Sequence, residues 1–288
     1  MTLGKRNGKS NNQNIEKREL HFHLYLRPSL KENYIRIFDV LADNHARLYK
    51  AVYERLKTHT NEVADEFKEE ALSGQNTNIP QYTDYGDYME AVQDYVFERL
   101  DEQFLMHYQF ELMSLSNLYQ VFEQQLRQYL FKEMTHNENQ YMNQVKFYLE
   151  NDKGEDVYSE FYSNFGKLTN LLRELKLTFT DLFGDEELIV ETDTWKTIRE
   201  CNLISNTYKH GSGQSASNLF DLYPQYFEKV DKTRLMDLYR TTNLKRVLDV
   251  NKISFEKYCN AMKGFWENMK EHQYGKVMAN VDISSEKE

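Results

Sequence analysis

Helix breakers are scarce in this chain: its 288 residues include 3 prolines and 11 glycines, well under their usual share. That shortage sets aside a loop-rich chain and argues for long helices. Cysteine is scarce too. Cys201 and Cys259 are the whole supply, with no CxxC pair or Cys/His cluster beside them, so no disulfide framework or structural zinc site is expected and the compartment reads as reducing cytoplasm. No apolar run approaches the roughly 18 residues that span a bilayer, and the polar start (Lys5, Arg6, Asn7, Gly8, Lys9, Ser10) has no apolar stretch behind it, so neither a signal peptide nor a membrane partner is expected. Excess positive charge is also lacking. The 36 Lys and Arg stand against 46 Asp and Glu, a net −10, which excludes a surface that adheres to nucleic acid all over while leaving room for a local basic site.

What remains, 40% hydrophobic and 14% aromatic residues, is enough to bury a core. The expected class is all-α: a tail at 1–18, a long helical hairpin within 19–104, a helical bundle over 105–279 and a second tail at 280–288. Leu20, Phe22, Leu24 and Leu26 alternate with His21, His23 and Tyr25, a period of two that predicts one short strand, for which Leu188, Ile189 and Val190 are the obvious partner. His21 and His23 share a strand face but have no third ligand near them.

From Leu30 to Leu72 the apolar positions Leu30, Tyr34, Ile37, Leu41, Leu48, Val52, Leu56, Val63 and Phe67 repeat every eleven residues. This predicts one nearly straight helix ended by Ser73-Gly74. His45 and His59 fill the gaps in its stripe, and at about 21 Å of helix rise they cannot share an ion, so they read as core or interface histidines. A second long helix is expected from Asp87 to Met134, antiparallel to the first, then helices at about 138–150 and 156–182. The final helix, about 254–271, presents Phe255, Tyr258, Met262, Phe265, Trp266 and Met269 as a packing face.

Chemistry concentrates between Asp193 and His210, a helix with an Asp193 or Thr194 cap that stops at Gly211-Ser212-Gly213. At about 100° per residue, Trp195, Arg199, Leu203, Asn206 and His210 fall on one side, with Arg199, Asn206 and His210 inside roughly 40° of arc. Lys209 stands beside them. An imidazole with an ordinary pKa of about 6.5 can take a proton from a ribose 2′-hydroxyl or give one to a leaving oxygen without metal. Arg199 or Lys209 would steady the charge on the phosphorane. The Gly211 to Ser215 stretch reads as a helix stop followed by a Ser215 or Ser217 cap, not a nucleotide loop. Residues 229–252 hold seven basic against three acidic residues, so Arg234, Arg240, Lys245 and Arg246 are candidate RNA contacts, with Tyr239 able to stack a base.

Asn206-Thr207-Tyr208-Lys209-His210-Gly211, followed by Gly213, Ser215 and Leu219, resembles the Asn-x-x-Lys-His-Gly helix end of HEPN-like bacterial helical proteins, many of them toxins and anti-phage defence factors. The resemblance extends over residues 105–270, from Ser114-Leu115 and Phe122 to Arg127 upstream to Phe265-Trp266 downstream. It implies a HEPN-like bundle and a metal-independent endoribonuclease or RNA-binding effector of toxin–antitoxin or anti-phage systems. His210 would be the acid/base, Asn206 would orient phosphate or imidazole, and no cofactor is implied. It also implies a homodimer whose two motifs meet, with Trp195 and Leu203 as apolar anchors, and an antitoxin or defence partner. Where the family carries arginine, directly before Asn206, this chain has Ser205. Three consequences stay open: Arg199 of a second copy fills the role, Lys209 replaces it, or the site is inactive. In the last case the chain is a binding or regulatory subunit for a nucleotide, RNA or partner protein.

Overall fold

The computed structural model describes residues 15–74, 84–134, 147–149, 164–180, 184–211, 213–227, 229–231, 233–234, 237 and 247–282. The fold is mainly helical, with eight α-helices among those residues and three small sheets. The chain divides into two compact units that interleave in sequence. One comprises residues 1–32, 123–196 and 265–288, the other 33–122 and 197–264.

In the first unit, β1 (Ile15–Tyr25) pairs antiparallel along its whole length with β7 (His272–Asp282), so that Leu20 faces Val277 and Tyr25 faces His272. The strand read from the alternating leucines is real. Its partner is not residues 188–190: β4 (Glu186–Leu188) pairs instead with β3 (Thr178–Thr180). Leu188, Ile189 and Val190 form an unbroken apolar run, which β7, with Gln273, Lys276 and Asn280 among its residues, lacks. Both tails are also shorter than expected, since the strands take in residues 15–18 and 280–282. A short β2 (Phe147–Leu149) adds to the far edge of β7, where a helix at 138–150 was expected. The rest of that segment lies outside the described residues. Of the helix expected at 156–182, α5 (Phe165–Glu174) forms, capped by Asn164, which accepts from the Lys167 N–H at 2.9 Å, and β3 follows.

Leu20, Phe22 and Leu24 bury the inner face of this sheet with Leu171, Leu172 and Leu175 of α5. Trp266 is fully buried, donates its Nε1–H to Gln125 at 2.9 Å and meets Tyr129 edge-on. Gly275 of β7 has no room for a side chain: a Cβ there would lie 2.8 Å from the Leu175 carbonyl oxygen. Gly275→Ala is therefore expected to lower stability by roughly 1–3 kcal/mol, readable as a shifted urea midpoint with an unchanged slope.

The second unit contains the helical hairpin. Its first arm is segmented into α1 (Pro28–Val52, in this unit from Asn33), α2 (Glu54–Thr58) and α3 (Thr60–Ser73), where the eleven-residue pattern predicted one helix. The breaks fall at Tyr53 and at His59, the second flanked by hydroxyls that bond back to carbonyls one turn earlier: Thr58 to Glu54 at 2.9 Å and Thr60 to Leu56 at 2.7 Å. Gly74, in the left-handed region at φ 69°, ends α3. The second arm, α4 (Tyr85–Met134, in this unit to Phe122), is continuous. His45 meets Glu111, Tyr49 meets His107, and Arg99 lies 5.3 Å over the Phe67 ring, so the partners run in opposite directions and the arms are antiparallel. The buried face matches the stripe read in the sequence only in part. Leu56 is buried and Leu41, Val63 and Phe67 are half-buried, whereas Ile37, Leu48 and Val52 are exposed and Phe38, outside the stripe, is buried, because the seam is set by the aromatic side chains that meet α4.

Candidate functional site

The motif helix, α6 (Asp193–His210), is capped one residue earlier than expected. The Thr192 hydroxyl accepts from the Trp195 N–H at 3.2 Å and donates to the Ile189 carbonyl at 2.7 Å. Its two expected faces do not separate. Every residue from Glu200 to Ser205 is buried, and Thr207 too, so the middle of the helix is enclosed on all sides. Trp195 and Leu203, expected as dimer anchors, are covered within the chain: Trp195 stacks on Phe165 at 4.9 Å and lies 6.0 Å from Phe265. Neither is left to anchor a second copy.

After the buried stretch, the end of α6 opens to solvent. Asn206 is half-buried, and Lys209 and His210 are exposed in the last turn, where a cation such as Lys209 complements the C-terminal end of the helix dipole. Gly211, in the left-handed region at φ 66°, returns its N–H to Thr207 at 2.9 Å and stops the helix. The next helix, α7 (Gln214–Leu222), is capped by Gly213, so Ser215 and Ser217 lie within it and not at its cap. Tyr208 donates to Gln109 of α4 at 2.7 Å and holds the end of α6 in place. Arg199 is exposed, but it sits eleven residues before His210, about 16 Å along the axis. Ser205 is 1% exposed. The structure thus brings Asn206, Lys209 and His210 together and leaves Arg199 apart.

Of the basic segment, Arg234 is engaged inside its unit. It pairs with Asp237 at 2.6 Å and lies 4.8 Å over Phe220 and 5.6 Å over Phe227. Lys229 also stands over Phe220, at 4.8 Å, and Lys252 pairs with Asp249 at 2.9 Å. Arg240, Lys245, Arg246 and Tyr239 lie outside the described residues.

Two polar clusters in the second unit escaped the sequence reading. Glu200 of α6 is 4% exposed, and its Oε1 accepts from the hydroxyls of Tyr226 at 2.6 Å and Tyr258 at 2.5 Å and from Lys257 Nζ at 2.6 Å. Burial, then the Glu200 hydrogen bond, pushes the Tyr226 and Tyr258 phenols upward. At Lys257 burial opposes the charge, but Glu200 outweighs it and raises the ammonium above its ordinary value. A carboxylate oxygen with three donors cross-links α6 to α8 (Phe255–Asn268). Tyr258 was read as a packing residue, and only its buried ring was foreseen.

The second cluster joins the arms of the hairpin. His45 Nε2 and His107 Nε2 lie 3.3 and 3.5 Å from the two oxygens of Glu111, all three side chains being close to nine-tenths buried. Burial disfavours the Glu111 charge, but the His107 and His45 imidazoles facing its two oxygens prevail and hold the carboxyl down at about 2. His45 is sandwiched between Phe255 at 4.0 Å and Phe110 at 5.0 Å, as a seam histidine should be. His59 is exposed at the helix break and is no core residue. His107, four residues before Glu111 on one helix, was the signal available in the sequence. The cluster borders a cleft of about 710 Å³ that also touches Lys50, Lys57, Asn251 and Ser254.

Among the described residues, no three His, Cys, Asp or Glu side chains stand where they could hold a metal ion, and no helix is long and apolar enough to cross a membrane. Cys201 and Cys259 are free and buried, and burial pushes both thiols up, Cys259 to about 11, so neither is a ready nucleophile. No family model, curated protein or solved structure matches this chain.

Proposed function

We propose that this protein is a helical RNA-binding effector of HEPN-like type, acting in toxin–antitoxin or anti-phage defence. In this reading it holds the RNA backbone with Lys209, His210 and Asn206 and, as a single chain, does not cut it. The observation that carries the reading is the contrast along α6. Burial is unbroken from Glu200 to Ser205, and then an amide, an ammonium and an imidazole reach or approach solvent within about one turn. A phosphate arriving there meets three groups that can donate to it. Cleavage asks for more: a further cation must steady the charge that builds on the phosphorane. Position 205 faces the core and cannot present one, and Arg199 is too distant along the same helix. The non-enzymatic function, with RNA as ligand, is therefore favoured.

The exposure of Arg199 supports a second reading, a metal-independent endoribonuclease completed by another copy of the chain in antiparallel contact. One experiment separates the two. Pure protein is incubated with total tRNA and a structured RNA, with and without EDTA, beside folded His210→Ala, Asn206→Ala and Lys209→Ala variants. The expected result is intact RNA, with binding that Lys209→Ala weakens across all sequences while reducing the salt slope by about 1. EDTA-resistant cleavage lost in His210→Ala would replace the first reading with the second. Absence of binding sinks the first, and a strict monomer by light scattering removes the composite site.

A further inference from the structure

We propose that the solvent face of the β1–β7 pair is a stacking platform for unpaired bases of single-stranded RNA; this rests on the RNA reading above and adds a second contact surface to it. The sheet buries Leu20, Phe22, Leu24 and Val277 on its inner face, so the alternate residues are turned outward: Glu19, His21, His23 and Tyr25 from β1, and His272, Tyr274 and Lys276 from β7. Five of these are rings, and four of them, His23, Tyr25, His272 and Tyr274, form one continuous array. His23 Nε2 and His272 Nδ1 are 3.0 Å apart and share a proton, with ring planes within 14° and centroids 5.2 Å apart. That separation is the one two imidazoles give when joined at their nitrogens side by side, so the pair makes a flat, hydrogen-bonded surface. Tyr274 lies against the face of His23 at 4.7 Å and 10°, and Tyr25 against the face of His272 at 4.7 Å and 13°.

Cross-strand ring pairs stabilise a sheet wherever they occur. They do not require a tyrosine that is 77% exposed, which is how Tyr274 stands. An outward ring at the end of an ordered array is what a nucleobase needs to stack on, and every base has a face to offer. The charge does not oppose the occupant. At the outward positions of the pair Lys17 and Lys276 balance Glu19 and Asp282, in a chain whose total is −10, and three of its eight histidines stand on the same face. Glu19 is drawn to Lys276 at 2.9 Å and to His21 at 3.1 Å, so that acid is paired locally.

The test is fluorescence anisotropy with a labelled twelve-residue single-stranded RNA and an abasic oligomer of the same backbone. Tyr274→Ala should weaken RNA binding about tenfold and Tyr274→Phe by less than about twofold, with the abasic oligomer bound weakly and indifferent to both. Because Tyr274 is exposed, Tyr274→Ala should melt with the wild type, which a circular-dichroism scan checks. Tyr274→Ala binding as the wild type does, or an abasic oligomer binding as tightly as RNA, overturns the platform, as does a wild type that binds no RNA. The double variant Lys209→Ala/His210→Ala is measured beside them. Loss there with none in Tyr274→Ala removes the platform and leaves the α6 reading standing, and the reverse pattern removes the α6 reading alone.

Discussion

Glu200→Ala is expected to be the most damaging single change away from the apolar core, costing roughly 2–4 kcal/mol and lowering Tm by about 10 °C. The carboxylate is 4% exposed, and Tyr226 and Tyr258, its hydroxyl donors, are 5% and 0% exposed. Removing the acceptor leaves the two buried hydroxyls only each other, 3.3 Å apart, and leaves the Lys257 ammonium, on a side chain 42% exposed, to water. The cost is the penalty of orphaned donors, not the worth of an ion pair, which is why Glu200→Gln, still an acceptor, should lose clearly less. The network also predicts an alkaline limit. Tyr226, Tyr258 and Lys257 all titrate higher when folded than when unfolded. Their contribution is therefore complete below about pH 10 and is lost as pH rises beyond it. Thermal melts from pH 8 to 11 should show a steep decline that Glu200→Gln flattens, and a Glu200→Ala Tm within about 2 °C of the wild type would mean that the cluster is not holding α6 to α8.

Glu111→Ala comes second, at roughly 1–3 kcal/mol near neutral pH. It is smaller because imidazoles, unlike an ammonium, can stay neutral when their acceptor goes. The diagnostic variant is Glu111→Gln measured against pH. The folded carboxyl titrates at about 2 against an ordinary 4.5, so the folded state binds fewer protons than the unfolded chain between those values. Its stabilisation is complete above about pH 4.5 and is lost as pH falls toward 2, about 2–3 kcal/mol in all. Urea titrations at pH 5, 4 and 3 should show this acid limb in the wild type and a shallower one in Glu111→Gln. Parallel curves would show that His45 and His107 do not hold the carboxylate.

Both predictions concern residues that the sequence left unmarked, and the reason is physical. Periodicity reports which residues share a face of one element, so the strand through Leu20, Phe22 and Leu24 could be read, along with the helix ended at Gly74, the helix ended at Gly211 and the two arms of the hairpin. It does not report what that face will meet. The β1 partner lies some 250 positions away, and no local pattern could prefer it to residues 188–190. The stripe on α1 was misplaced in part because His45, Tyr49 and Tyr53, not the aliphatic residues at Ile37, Leu48 and Val52, meet α4.

At the motif, the sequence alone determined that Asn206, Lys209 and His210 come within one turn, that glycine ends their helix, and that Ser205 occupies the position where arginine was expected. Helix geometry follows from local bonding, so those relations hold whatever the helix packs against. The tertiary structure decided which of them matter: it encloses α6 from Glu200 to Ser205, covers Trp195 and leaves Lys209 and His210 of the final turn exposed. It also gathers His45 with Glu111, and Glu200 with Tyr226 and Tyr258, from distant parts of the chain. Burial and long-range juxtaposition are properties of the packed chain, since a side chain's exposure depends on neighbours that only folding supplies.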